Sequence, residues 1–150
     1  MADVKTITQF SVFLVNKPGV LAQVTGALAH EKINVLAMTL VDSQEHGVLL
    51  MVIEDAADAR AVLKKLNLPM TETDVLCVDL PNRPGAMADV ATLLGRDHIN
   101  INYAYVTSGA PGGRTTGVFK VADQAKALKV LKKPGGKHKE PDLHRGISKR

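Results

Sequence analysis

Residues 16 to 34 return, without insertion or deletion, as residues 82 to 100. Asn16, Pro18, Gly19, Ala22, Val24, Leu28, Ile33 and Asn34 are repeated as Asn82, Pro84, Gly85, Ala88, Val90, Leu94, Ile99 and Asn100, 8 identities in 19 positions at an offset of 66. Lys17/Arg83, Leu21/Met87 and Glu31/Asp97 differ only conservatively. A period of that size divides the 150 residues into two small units. Units this short bury too little surface to be stable alone, so they are expected to fold against one another or against a second chain. What is duplicated is mainly a turn and a helix start. A set of acids, bases or metal ligands is not, which favours a binding module over an enzyme.

Each repeat opens with an apolar, β-branched stretch, Phe10 to Val15 and Val75 to Leu80, that reads as a strand. Pro18 and Gly19 interrupt the extended pattern. Val20, Leu21, Val24 and Leu28 then recur at helical spacing, matched by Ala86, Met87, Val90 and Leu94. Pro fits the first helical turn, where its missing donor costs nothing. Two further strands follow, about Ile33 to Val41 and Val48 to Ile53, with counterparts near Ile99 to Thr107 and Gly117 to Val121. The hairpins between them span Asp42 to Gly47 and the longer, Gly-rich Ser108 to Thr116. A second helix turns Ala59, Val62, Leu63 and Leu66 inward, and in the second repeat Ala125, Leu128 and Leu131.

The unit is thus strand, helix, strand, strand, helix, an α+β pattern that a fourth strand would complete as a ferredoxin-like βαββαβ fold. Met70 to Leu80 is long enough to close the first sheet and open the second. After Leu131 the chain turns to Lys, Gly, Pro and His, so the second unit has no last strand of its own. Its sheet either stays three-stranded or is completed by another segment or another chain. The boundaries are 5–73 for the first unit, 74–133 for the second and 134–150 for a tail. Val35 to Val41 and Val48 to Ile53 do not alternate, so both faces of the first sheet are apolar. We expect a homodimer to cover the face without helices.

With 45% apolar residues but only five aromatics, the core must be aliphatic. The formal charge of +4 is a property of the tail: from Lys132 onward there are seven basic and two acidic residues, and residues 1–131 carry 12 and 13. Such a tail reads either as a solvated terminus or as a segment that sticks to polyanions. Cys77 is the single cysteine, which excludes an intrachain disulfide, and its neighbours make it a small buried hydrophobe. No apolar run approaches the roughly 18 residues of a membrane span, and the N-terminus lacks the regions of a signal peptide. A cytoplasmic location is expected.

Catalytic and cofactor chemistry finds little purchase. His30-Glu31-Lys32-Ile33-Asn34 misses the zinc-protease pattern because Asn34 stands where a second His is required. The other histidines share no metal-ligand spacing, so neither metal nor cofactor is expected. Asp42, Ser43 and His46 lie on a hairpin with no oxyanion pocket. The loop Gly109 to Arg114 joins two strands and matches neither a P-loop nor a dinucleotide turn. An RNA-recognition module shares this element order, and Tyr103 and Tyr105 share a face, but Val118-Phe119-Lys120-Val121 lacks the aromatic motif such modules use. RNA remains the minor alternative, nucleic acid binding is not expected, and no membrane partner is either.

The turn itself is chemically useful. Gly removes a side chain where a ligand must approach, and the helix start offers unpaired N–H groups and a positive dipole end to a carboxylate. Asn16 and Asn82 add an acceptor that suits an ammonium. The alternative is purely structural, with Asn closing a local turn and Gly relieving a bend. Asn34 and Asn100 are equally open, since Asn tolerates the left-handed conformation of helix ends.

The Asn-x-Pro-Gly turn after a first strand, the Leu-Ala-x-Val or Met-Ala-x-Val helix and the Ile-Asn-Val or Ile-Asn-Ile start of the second strand resemble the ACT domain, twice in tandem. The resemblance spans about residues 7 to 131. It implies a ferredoxin-like fold and a regulatory role, with small ligands, usually amino acids, bound at interfaces between ACT units. It places ligand contacts at Asn16, Pro18, Gly19, Val20 and Leu21, and at Asn82, Pro84, Gly85, Ala86 and Met87. Asn34 or Asn100 would come from a paired unit. Members often carry Gly just before Ile-Asn, where this chain has Lys32 and His98. Most attach the domain to a catalytic partner on the same chain, so the regulated enzyme is expected elsewhere. The reading is a non-enzymatic amino-acid-binding regulator, or alternatively a docking subunit of an amino-acid biosynthetic enzyme with no ligand of its own.

Overall fold

A computed structural model describes residues 3–15, 17–42, 46–107 and 112–132. The elements are β1 (Val4–Val15), α1 (Val20–His30), β2 (Val35–Asp42), β3 (His46–Ile53), α2 (Ala56–Lys65), β4 (Met70–Pro81), α3 (Ala86–Arg96), β5 (Ile101–Val106), β6 (Arg114–Val121) and α4 (Gln124–Lys132). One six-stranded sheet runs β2-β3-β1-β4-β6-β5, and all its pairings are antiparallel. Asn16, the tips of both hairpins and the tail after Lys132 lie outside the described residues. None of the described helices is long and apolar enough to cross a membrane.

The missing last strand is supplied from the other end of the chain. β1 begins at Val4, six residues before the apolar run that announces it, because its two halves serve different units. Gln9 to Val15 pairs with β3 in the first unit, while Val4 to Ile7 lies beside Val75 to Val78 of the second. β4 does the reverse: Met70 to Val75 lies along β1, and Leu76 to Pro81 pairs with β6. The boundary near residue 73 therefore falls inside a strand that both units use. The register pairs Thr8 with Asp74, its own counterpart at an offset of 66, so a local two-fold axis passes between them.

All four helices cover one face. Phe10, Val12 and Leu14 of β1 with Leu49, Met51 and Ile53 of β3 pack on α1 and α2. Val4, Leu76, Val78, Leu80, Phe119 and Val121 pack on α3 and α4. The α4 face differs from expectation: Ala127, Val130 and Leu131 are buried and Ala125 is exposed. The second hairpin is two residues longer than the first, so from β6 onward the units are related by 68. Ala127, and not Ala125, is the counterpart of Ala59.

The helix-free face covers much of itself. Ala37, Val52, Val75, Cys77 and Val118 form a third buried cluster, joined by Leu36 near one sheet edge and Tyr105 at the other. A flat sheet would hold β1 and β5 roughly 14 Å apart. Here Gln9, fully buried on β1, donates from Nε2 to the Tyr103 hydroxyl at 2.6 Å and accepts from the Tyr105 hydroxyl at 2.8 Å. The sheet is therefore curled until its own edge closes on its middle. The apolar residues left exposed gather mainly at the first unit's outer end, Phe13, Val15, Met38, Leu40 and Val41.

α1 and α3 end in the same device. Ile33 N–H bonds Leu28 C=O and Lys32 N–H bonds Ala29 C=O; Ile99 and His98 repeat this with Leu94 and Gly95. These are Schellman motifs, which need a left-handed residue, and Lys32 and His98 sit there at φ 57° and 54°. The turn thus keeps a glycine-like shape without glycine. Lys32→Gly is expected to raise stability by about 1 kcal/mol, or about 3 °C in a thermal melt. An unchanged or lower midpoint would refute this account of strain.

Candidate turn grooves

Both duplicated turns leave the sheet at the end of a strand shared between the units. Because β1 and β4 are antiparallel and pair only over Val4–Val12, the turns stand at opposite ends of the sheet. Gly19 (φ 91°) and Gly85 (φ 88°) are the N-caps of α1 and α3, and neither helix has a side-chain cap. Pro18 and Pro84 therefore precede the cap and lie outside the first helical turn. The glycine carbonyls accept from Gln23 and Asp89 N–H at 3.0 and 2.9 Å. That arrangement leaves the amides of Leu21, Ala22, Met87 and Ala88 without intrahelical acceptors. A Cβ at Gly19 would meet nothing within 4 Å, so the left-handed backbone alone explains why glycine stands there.

Beside each turn lies a groove. The first, of about 270 Å³, is walled by Leu14, Val15, Val20, Leu21, Leu40 and Gly47, with Lys17 and Asp42. The second, of about 310 Å³, is walled by the counterparts Leu80, Pro81, Ala86, Met87, Val106 and Thr115, with Asn82, Arg83 and Gly85. Asn82 is held by its main chain: its N–H donates to Gly113 C=O at 2.8 Å and its carbonyl accepts from Gly112 N–H at 3.2 Å. Asn16, its counterpart, lies outside the described residues. Pro18, Gly19, Pro84 and Gly85 are exposed, Val20 and Ala86 are buried, and Leu21 and Met87 are half-buried.

Asn34 and Asn100 stand at the far ends of α1 and α3, about 16 Å from the turns of their own units. Asn34 borders a recess with Glu31, Glu54, Asp55 and Asp58, and the Asn100 carbonyl accepts from Ala122 N–H at 3.0 Å. Sequence reasoning missed Leu40 and Val106, the outer walls of the grooves. Both are exposed apolar residues on second strands, 49% and 45%, and they share the offset of 66 that could have flagged them. Cys77 faces the self-covered side of the sheet, where burial pushes its thiol up to about 11 and keeps it protonated at neutral pH.

Two ferredoxin-like units with duplicated grooves and a shared central strand pair define a paired-domain fold. The chain belongs to the ACT family: the model of an ACT domain pair matches residues 5–137. It is similar to the Bacteroides thetaiotaomicron protein BT0572, at 32% identity over 86% of this chain and 88% of that one, with a TM-score of 0.78. It shares its fold with the regulatory subunit of aspartate kinase from Thermus thermophilus, at 18% identity over 87% and 95% of the two chains, with a TM-score of 0.65. It also shares it with E. coli aspartokinase III in complex with lysine and aspartate, at 19% identity over 87% and 31%, with a TM-score of 0.54. No curated protein matches the sequence.

Proposed function

We propose that the chain is a non-enzymatic regulator that binds a small amino acid in the turn grooves. The observation that carries this is the pairing, at both turns, of an uncapped helix start with an adjacent groove of amino-acid size. Main-chain amides at the helix start hold the carboxylate, and Leu40 or Val106 lies against the ligand's body. The lysine and aspartate bound by the aspartokinase III relative point to the same ligand class. A second copy of the chain would cover Phe13, Val15 and Val41, bringing Asn34 or Asn100 of a paired unit toward a groove.

The test is a thermal-unfolding screen with each of the twenty amino acids at millimolar concentration, with sedimentation of the same samples. A ligand at 100 times its dissociation constant adds about 2.7 kcal/mol, a rise of several degrees. Leu40→Lys and Val106→Lys should remove that rise without unfolding the chain. Valine at Gly19 or Gly85 would be strained whatever the groove holds. A rise that survives both lysine variants would rule the grooves out, and a monomer at micromolar concentration would remove the dimer. The similarity to a regulatory subunit of aspartate kinase over 95% of its length favours a second reading, a subunit docked on a metabolic enzyme. Co-purification with an enzyme and a flat screen would support it.

A further inference from the structure

The duplication supplies its own control for packing, and the second unit fails it at one place. On the shared-strand side of α3, opposite the second turn groove, lies a hollow of about 350 Å³ walled by Val4, Val78, Leu80, Ala86, Val90 and Leu131. The corresponding place in the first unit carries larger side chains. There Met70 occupies the place of Val4, because Met70 pairs with Val12 as Val4 pairs with Val78. Val20 stands in place of Ala86. Leu66 and Leu68, which follow α2 and pack on the first core, have no counterparts among the described residues of the second unit. The volume is at the lower end of the roughly 300 to 1,000 Å³ of small-molecule pockets.

The rim differs in the same way. Arg83 and Arg114 replace Lys17 and His46, and Asp89 replaces Gln23. Arg83 binds Asp89 at 3.2 Å and Arg114 binds Asp79 at 3.1 Å, both as exposed pairs. Each guanidinium has five N–H donors and keeps some for a further acceptor. Asp3 and Asp89 border the same opening and can accept from an ammonium. Both charges of a zwitterion are thus answered at the mouth of an apolar hollow.

We propose that this hollow is a ligand site of the second unit only, taking an amino acid with a bulky apolar side chain. Its side chain lies over Val4 and Ala86 at the floor of the hollow, its carboxylate meets Arg83 and Arg114, and its ammonium meets Asp3 or Asp89. The site shares Leu80, Pro81, Arg83 and Ala86 with the turn groove but lies on the other side of α3, so Val4, Val78, Val90 and Leu131 distinguish it.

The test follows the methyl resonances of Val90 and Leu131 in the full chain while leucine or phenylalanine is added. Both should shift. Val4→Met, which copies the first unit and spares the turn groove, should weaken the response at least tenfold. Val78→Ile, also absent from the turn groove, is a second filling variant should the first fold poorly. Equal affinity in the filled variants would overturn the proposal, as would shifts confined to Met87, Val106 and Thr115. So would methyl shifts that move on removal of residues 133–150 but ignore both amino acids, which would assign the hollow to the chain itself.

Discussion

Removal of residues 1–8 is expected to collapse the second unit, although those residues lie at the opposite end of the sequence. The deletion takes away the strand paired with Val75 to Val78 and the side chains of Val4 and Ile7, which pack into two different clusters. Each aliphatic side chain is worth about 1.5–3 kcal/mol when buried. Leu76, Val78 and Leu131 also lose their cover. Against a typical total of about 5–15 kcal/mol, the loss is enough to end cooperative folding near room temperature. Circular dichroism melts and amide exchange in α3 and α4 would report it. A truncated chain with the midpoint of the intact one would show that β1 does not complete the second sheet.

Gln9→Leu should be the most damaging single substitution on the helix-free face. Gln9 is fully buried and its amide serves both Tyr103 and Tyr105. Leucine keeps the bulk and strands the hydroxyls, at about 2–3 kcal/mol, or about 6–10 °C in the melt. A loss below 1 °C would mean that the hydroxyls find water and that the curl does not depend on this contact. The same contact sets an alkaline limit. Burial, with smaller contributions from Tyr103 and Cys77, holds the Tyr105 hydroxyl above the usual tyrosine range. The folded state keeps that proton more tightly than the unfolded chain. Its contribution is complete below about pH 10 and declines as the pH rises further. Tyr105→Phe should flatten that decline.

The duplicated segment made the element order legible, because Pro-Gly followed by apolar residues at helical spacing is a local signal. The destination of Val4 to Gln9 was not. Val-Lys-Thr-Ile-Thr-Gln alternates as any half-buried strand does, and only the tertiary register shows that it belongs beside Val75 to Val78. The α4 face was misjudged at Ala125 because Ala125, Leu128 and Leu131 recur at helical spacing as readily as Ala127, Val130 and Leu131, and only the packing selects the second set. The continuous apolar strands announced two apolar faces, of which the helix-free one is buried at Ala37 and Val52 and exposed at Phe13, Val15 and Val41. They could not say that Ala37 and Val52 would be covered by the chain's own curl, since curvature is set by long-range contacts such as Gln9 with Tyr105. At the grooves the turn was readable, but the walls were not: Leu40 and Val106 matter only because a second strand passes beside a helix start.

The pairing of Thr8 with Asp74 gives the chain the geometry of a symmetric dimer whose two protomers happen to be joined. An isologous contact repeats every pairing between the twins, so Val4 meets Val78 while Met70, the twin of Val4, meets Val12, the twin of Val78. A free half-length chain could form the same contact only by finding a second copy, and dilution would separate them. Joined end to end, the two halves meet at an effective concentration set by the connection itself. The pair therefore persists at any dilution, and its two halves are free to diverge, as Val4 and Met70 already have.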